Sequence, residues 1–276
     1  RKYIVIQKIN LFIGHMAKSL KQIQSEIKGI DLIIQVLDAR AIHSSTNQEL
    51  VNLAKDRILV NVALKSDLAD LTDKKSNVYY FDVKQKNLST EINKILKNAL
   101  KSKIERYKAK GLVNPHFYVM IVGLPNIGKS SLINALAKKC RVQVENRPGV
   151  TRKVHLIKID KNFSVYDTPG IFIKNIDSNQ TGYILGLIGA IDEKVLPLMD
   201  VTEFATNYLF KHYEQQIRKY FSYDKEYNFF NFVNFVAQKN CFLLKKEELD
   251  LERTYKYLFK LYKENKIVKV DYEKEN

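Results

Sequence analysis

Residues 123–131, GLPNIGKSS, carry the spacing G-x-x-x-x-G-K-S, which suits a loop that wraps phosphate. Glycines at 123 and 128 let successive backbone N–H groups turn onto the α- and β-phosphates of a nucleotide. The positive end of a helix starting near Lys129 adds to that field. Lys129 is long enough to reach the β- and γ-phosphates, and the Ser130 hydroxyl is a hard oxygen ligand suited to Mg2+. Pro125, Asn126, Ile127, Gly128, Lys129, Ser130 and Ser131 form the expected nucleotide-contacting set of this loop. Downstream, VYDTPG sets Asp167 and Gly170 in a D-x-x-G pattern, with Asp167 expected to hold Mg2+ through water and the Gly170 amide to meet the γ-phosphate. Between them, RPGVTR places Thr151 in a loop that would ligate Mg2+ only while the γ-phosphate is present.

A phosphate loop does not choose a base. The segment VALKSDLAD at 62–70 retains the lysine and aspartate of the guanine-reading pattern N-K-x-D. In that pattern the Asp67 carboxylate accepts from the ring N1 and exocyclic N2, and the aliphatic stem of Lys65 covers the base, with Ser66 between them. Leu64 stands where the pattern has asparagine, removing a contact worth on the order of 1 kcal/mol. The Ser-Ala pair that usually follows at the next strand end is replaced by FDV at 81–83, which leaves Asp82 and Val83 to supply a backbone contact to the base. The segment also precedes the phosphate loop instead of following it. Circular permutation reconciles that order: joining the old termini and opening another loop preserves the site in space, because domain termini usually lie close together at the surface.

These loops need strands to end on. Apolar, β-branched runs at 31–38, 57–64, 77–83, 116–123, 153–160 and 162–167 read as strands, several of them apolar on both faces, as buried parallel strands are. Helical spacing at 14–29, 46–55, 89–109 and 129–138 alternates with them, giving a doubly wound α/β sheet. The last two strands, joined through Lys161 and Asn162, read as a β-hairpin. Beyond about residue 180 the spacing is helical throughout. The chain therefore divides into an α/β domain over 1–178, with its guanine motif before the phosphate loop, and an all-α domain over 179–276.

With 45% hydrophobic and 28% charged residues among 276, the composition suits a globular protein with a sizeable core. The apolar run at 182–191 falls short of the roughly 20 residues that cross a bilayer, so no membrane partner is expected. Gln7 and Lys8 interrupt the apolar stretch near the start, so no signal peptide is expected. Cys140 and Cys241 form no CxxC pair and no disulfide framework, and are expected as core residues of a cytoplasmic protein. The net charge of +16 is uneven, with 31 basic against 14 acidic side chains over residues 1–175 and 15 against 16 over 176–276. Such a field favours a polyanion through counterion release, although a lysine-rich, A/T-biased codon usage yields the same excess. The segment 91–111, with seven basic residues to two glutamates, reads equally as a phosphate-contacting surface and as a solvated face. The aromatic YNFFNFVNFVAQK at 227–239 is expected in the core, with base stacking as its alternative.

INLFIGHMAKSL near the start, VLDARAIHSSTN at 37–48, GLPNIGKSSLINALAKK, RPGVTR and DTPGI together resemble the YlqF/RbgA family of circularly permuted ribosome-assembly GTPases. GLIGAID and VAQKNCFLL extend the resemblance over nearly the whole chain. It implies a circularly permuted P-loop GTPase, a Ras-like doubly wound sheet with a C-terminal all-α domain. It also implies binding of GTP and GDP, Mg2+-dependent hydrolysis of GTP, and a role in late maturation of the large (50S) ribosomal subunit. The basic surface and helical domain would lie on rRNA, the ribosome would activate hydrolysis, and the protein would be a cytoplasmic monomer. Ile171 follows the D-x-x-G pattern where many GTPases carry a water-orienting glutamine. The resemblance implies that His15 of GHMAK serves instead, beside Lys129 and Thr151 as catalytic residues. Asn126 resembles the asparagine of potassium-dependent GTPases, where K+ neutralises charge in the transition state. Two other readings stay open: an RNA-binding module whose nucleotide is structural, and a P-loop ATPase or small kinase, which Asp67 does not support.

Overall fold

Strands β1 (Leu32–Asp38), β2 (Ile58–Leu64), β3 (Val78–Tyr80), β4 (Phe117–Gly123), β5 (Val142–Glu145), β6 (Val154–Lys158) and β7 (Phe163–Asp167) form a single sheet in the computed structural model. The structure describes residues 27–54, 57–137, 142–145, 154–167, 176 and 178–275. The spatial order is β3-β2-β1-β4-β7-β6-β5. The first five of these run parallel, while β6 is antiparallel to β7 and β5 to β6. All seven residues of β1, LIIQVLD, are buried, as a strand covered on both faces requires. The register sets Val36 opposite Gly123, Asp38 opposite Leu64 and Ile121 opposite Asp167. The phosphate, guanine and D-x-x-G segments therefore all leave the sheet at the carboxyl ends of parallel strands, where α/β sheets open a ligand crevice.

The helices of this part are α1 (Ile42–Ser45), α2 (Gln48–Leu53), α3 (Leu88–Ala99), α4 (Lys101–Ala109) and α5 (Lys129–Ala137). The helix expected over 89–109 is two helices parted at Leu100, where φ −97° and ψ 7° leave the helical well. Leu100 is fully buried, and the break lets α3 turn its apolar side inward while the basic α4 has no buried residue. The hairpin of β6 and β7 is as expected, but β5 is an addition. Its four residues, VQVE, carry too little periodicity to stand out without their partner β6.

The remaining chain folds into α6 (Asn179–Leu187), α7 (Leu198–His212), α8 (Glu214–Phe221), α9 (Phe229–Lys239) and α10 (Leu251–Lys263). Ser178 starts α6, its side chain accepting from the Thr181 amide. In α9, Phe229, Phe232, Val233 and Val236 are buried, so this aromatic stretch is core, with Phe230 left exposed. Cys241, expected in the core, is instead exposed, because the chain leaves α9 through a left-handed turn at φ 52° and does not continue inward. One hydrophobic cluster runs from Leu32, Ile34 and Val36 of the sheet to Leu185, Val201, Phe232 and Leu258 of the helices, so the two parts share a core. Among the described residues, no helix is long and apolar enough to cross a membrane.

Candidate nucleotide site

The phosphate loop is built by close approach. A Cβ at Gly123 would stand 2.6 Å from the Val36 carbonyl oxygen of β1, so β4 can lie this near its neighbour only with glycine at its end. Asn126 at φ 56° and Gly128 at φ 108° then turn the chain through the left-handed region into α5. The Leu132 amide donates to the Gly128 carbonyl at 2.9 Å, which closes the first turn. Lys129 is buried, and its Nζ donates to the Leu124 carbonyl at 2.9 Å, holding the ammonium over the loop it would serve. Ile127 is buried, Pro125 half-buried, and Asn126, Ser130 and Ser131 are exposed.

The Lys-Ser-Asp segment follows β2 through an abrupt turn. Lys65 takes left-handed dihedrals of φ 61° and ψ 35°, after which Ser66–Leu68 forms one turn of 3-10 helix carrying the half-buried Asp67. The Ser66 amide donates to the Phe81 carbonyl at 3.2 Å, which ties this turn to the end of β3. Asp82 and Val83 come directly after, and the Asp82 carboxylate accepts the Lys84 amide at 2.9 Å, so that side chain shapes its own turn. Leu64 is fully buried and leans on the phosphate loop: a Cβ on Gly128 would meet Leu64 Cδ1 at 3.0 Å. The two motifs, reversed in chain order, thus come together through an apolar contact at the position where the pattern has asparagine.

Two residues that motif reading did not assign stand behind Lys65. The Asp38 carboxylate, fully buried at the end of β1, accepts Lys65 Nζ at 2.8 Å, Arg40 Nε at 2.8 Å and Arg40 Nη2 at 2.8 Å. Burial alone would raise the Asp38 carboxyl; the hydrogen bonds and charge of Arg40, with Lys65 behind them, outweigh it and hold the group below the usual carboxylate range. For Arg40, burial opposes the charge and the Asp38 partnership more than restores it. An Asp-x-Arg pair at the end of a strand that is apolar but for Gln35 was the available signal, since such charges stay buried only when paired.

The expected Mg2+ ligands are distributed over two strand ends. Ser130 opens α5 after β4, and position 167 ends β7, the strand beside it. A hydroxyl and a carboxylate are the hard oxygen donors that Mg2+ takes in ones and twos, with phosphate and water completing its shell. His15, Thr151 and Gly170, together with Cys140, lie outside the described residues.

A mostly parallel, mixed sheet with a glycine-turned phosphate loop opening a helix, and a Lys-x-Asp turn two strands away, define a P-loop nucleotide-binding protein of the GTPase class. Residues 118–234 match the family described as 50S ribosome-binding GTPase. The chain is 41% identical over 209 residues to Probable ribosome biogenesis GTPase A of Mycoplasma pneumoniae, covering 75% of this chain and 77% of that protein. It is 37% identical over 243 residues to the protein of the same name in Mycoplasma genitalium, covering 88% of each. The solved GDP-bound structure of TM YlqF has the same fold, with a TM-score of 0.66 over 92% of this chain and 98% of that one at 22% identity. The chain belongs to the ribosome biogenesis GTPase A family, and its enzymatic class is that of a GTPase.

Proposed function

We propose that this GTPase binds GTP and GDP in the crevice at the carboxyl ends of β1, β2, β4 and β7, and that its cycle times a late step in maturation of the large ribosomal subunit. The observation that supports this reading is the seating of Leu64 on Gly128, which brings the Lys65–Asp67 turn beside the phosphate loop. Amides of residues 125–131 and the Lys129 ammonium hold the phosphates, Asp67 accepts from the guanine edge, and the Lys65 stem covers the ring. Asp82 and Val83 border the base. Mg2+, when bound, neutralises phosphate charge, with Ser130, Thr151 and Asp167 as its protein ligands. Asn126 offers an exposed side chain from a left-handed turn as the K+ ligand, and His15 orients the attacking water in place of a glutamine, when the ribosome brings it into position.

The names of the relatives support ribosome biogenesis, and charge supports an RNA partner. At the amino ends of β4 and β7, remote from the nucleotide crevice, Lys97, Lys101, Lys108 and Lys161 line a cleft of about 380 Å3 over Phe117 and Phe163. This is a phosphate-contacting surface for rRNA of the large subunit. The protein acts as a cytoplasmic monomer over two functional parts, residues 1–178 and 179–276.

Nucleotide titration with GTP, GDP and ATP, followed by turnover with and without large subunits, tests the reading. Guanine nucleotides should bind in preference to ATP, and large subunits should raise the rate. Asp67→Asn should weaken GDP and favour xanthosine diphosphate, whose 2-oxo group accepts where the guanine amine donates. Preference for ATP would remove the guanine reading, and equal turnover with and without subunits would remove the assembly role.

A further inference from the structure

The guanine-reading turn at 65–70 is held from behind by the helical part of the chain. Lys65 Nζ donates to the Ile188 carbonyl at 3.2 Å as well as to Asp38. The Leu68 carbonyl accepts the Val270 amide at 3.1 Å, and Asp70 Oδ2 accepts Tyr213 Oη at 3.0 Å and Lys274 Nζ at 3.1 Å. Arg40 completes the connection. Its Nη2 donates to the Ile188 carbonyl at 3.2 Å, and its Nη1 donates to the Lys263 carbonyl at 3.1 Å and to Asn265 Oδ1 at 2.6 Å. Ile188 follows α6 as its C-cap and Lys263 ends α10, so one buried guanidinium neutralises the carboxyl ends of two helices, where the dipole is negative. The Arg40 carbonyl in turn accepts the Tyr272 amide at 2.8 Å.

We propose that Asp38 and Arg40 are positioning residues that join the guanine-reading turn to the carboxyl ends of α6 and α10, so that base binding and the packing of the helical part are thermodynamically linked. This rests on the reading of Lys65 and Asp67 as the guanine site. Asp38 fixes the Lys65 ammonium from below and so extends its stem across the place of the ring. Arg40 makes the same carboxylate answer to α6 and α10. Coupling is reciprocal: a ligand that grips the helical part changes guanine nucleotide affinity by the factor with which the nucleotide changes that grip. A large-subunit surface engaging these helices would then act on the base end of the site, leaving the phosphate loop unchanged.

Arg40→Lys keeps the charge but loses the planar fork. Asn265→Gly removes one outer acceptor while suiting its left-handed φ of 51°, so it tests the connection even if the first variant does not fold. GDP and pyrophosphate affinities are measured for each folded variant. Amide hydrogen exchange of the unaltered chain is followed at Glu264, Asn265 and Val270 with and without GDP. We expect GDP affinity to fall about three- to tenfold in the variants, a loss of one or two hydrogen bonds, with pyrophosphate affinity unchanged and with GDP slowing exchange at those three amides. Unchanged GDP affinity in a folded variant, equal weakening of GDP and pyrophosphate, or exchange indifferent to GDP would each overturn the joint. Failure of the unaltered chain to bind GDP would instead remove the guanine reading beneath it.

Discussion

At position 128 one hydrogen in place of a methyl decides whether two motifs can meet. Gly128 has a left-handed φ of 108°, and its missing Cβ is the space that Leu64 Cδ1 approaches. Gly128→Ala should therefore cost about 2–4 kcal/mol, from left-handed strain and crowding together, read as a lower urea midpoint. Leu64→Ala in the same chain should return part of that loss, so a double-mutant cycle should give a favourable coupling term. Additive effects would show that the two side chains do not share space. The same scale explains what spacing revealed about Lys65 and what it did not. The expectation that its stem covers a base comes from Lys-x-Asp, whereas the anchoring of its ammonium depends on Asp38, 27 residues away in sequence. No local pattern carries that distance.

Among the elements, β1 bears the clearest local conflict. Gln35 pairs with Asn61 of β2 and Val122 of β4 in the middle of the sheet and is fully buried, yet its Oε1 and Nε2 have no hydrogen-bond partner among the described residues. Gln35→Met keeps the length and removes the unsatisfied amide, and should raise stability by about 1–2 kcal/mol in urea titration. A fall in stability would mean that the amide has a partner worth keeping. The pair α3 and α4 raises a different question, because a continuous helical pattern covered both and Leu100 breaks it. Tertiary burial of Leu100 outweighed local propensity there. Changing Lys97, Lys101 and Lys108 together to Glu should weaken RNA binding across sequences and flatten its salt dependence by roughly one unit of log–log slope for each phosphate no longer neutralised. Basal hydrolysis should stay as it was, since the cleft lies at the opposite ends of the strands from the phosphate loop. An unchanged salt slope would make these lysines a solvated face.

Across the whole molecule, the buried Asp38 makes stability depend on acid. Its carboxyl lies below the usual range in the folded chain and returns to about 3.9 when unfolded, so its contribution is present above that value and is lost as pH falls through the lower folded one. The stability difference between the unaltered chain and Asp38→Asn should thus be largest near neutrality and shrink below about pH 4. A difference that grew with acid would reverse the assignment. The sequence by itself determined six of the seven strands, the helical character of the last third, and the permuted order of the phosphate-loop and Lys-x-Asp motifs. These are written in spacings of a few residues: side-chain alternation, helical period, and glycines where a backbone must turn. Only the tertiary structure decided that Leu64 seats the Lys65–Asp67 turn on Gly128, that Cys241 faces outward, and that Arg40 binds the ends of α6 and α10 to the carboxylate under Lys65. Each of those depends on groups far apart in the chain that only burial in the folded protein brings within hydrogen-bond or van der Waals reach.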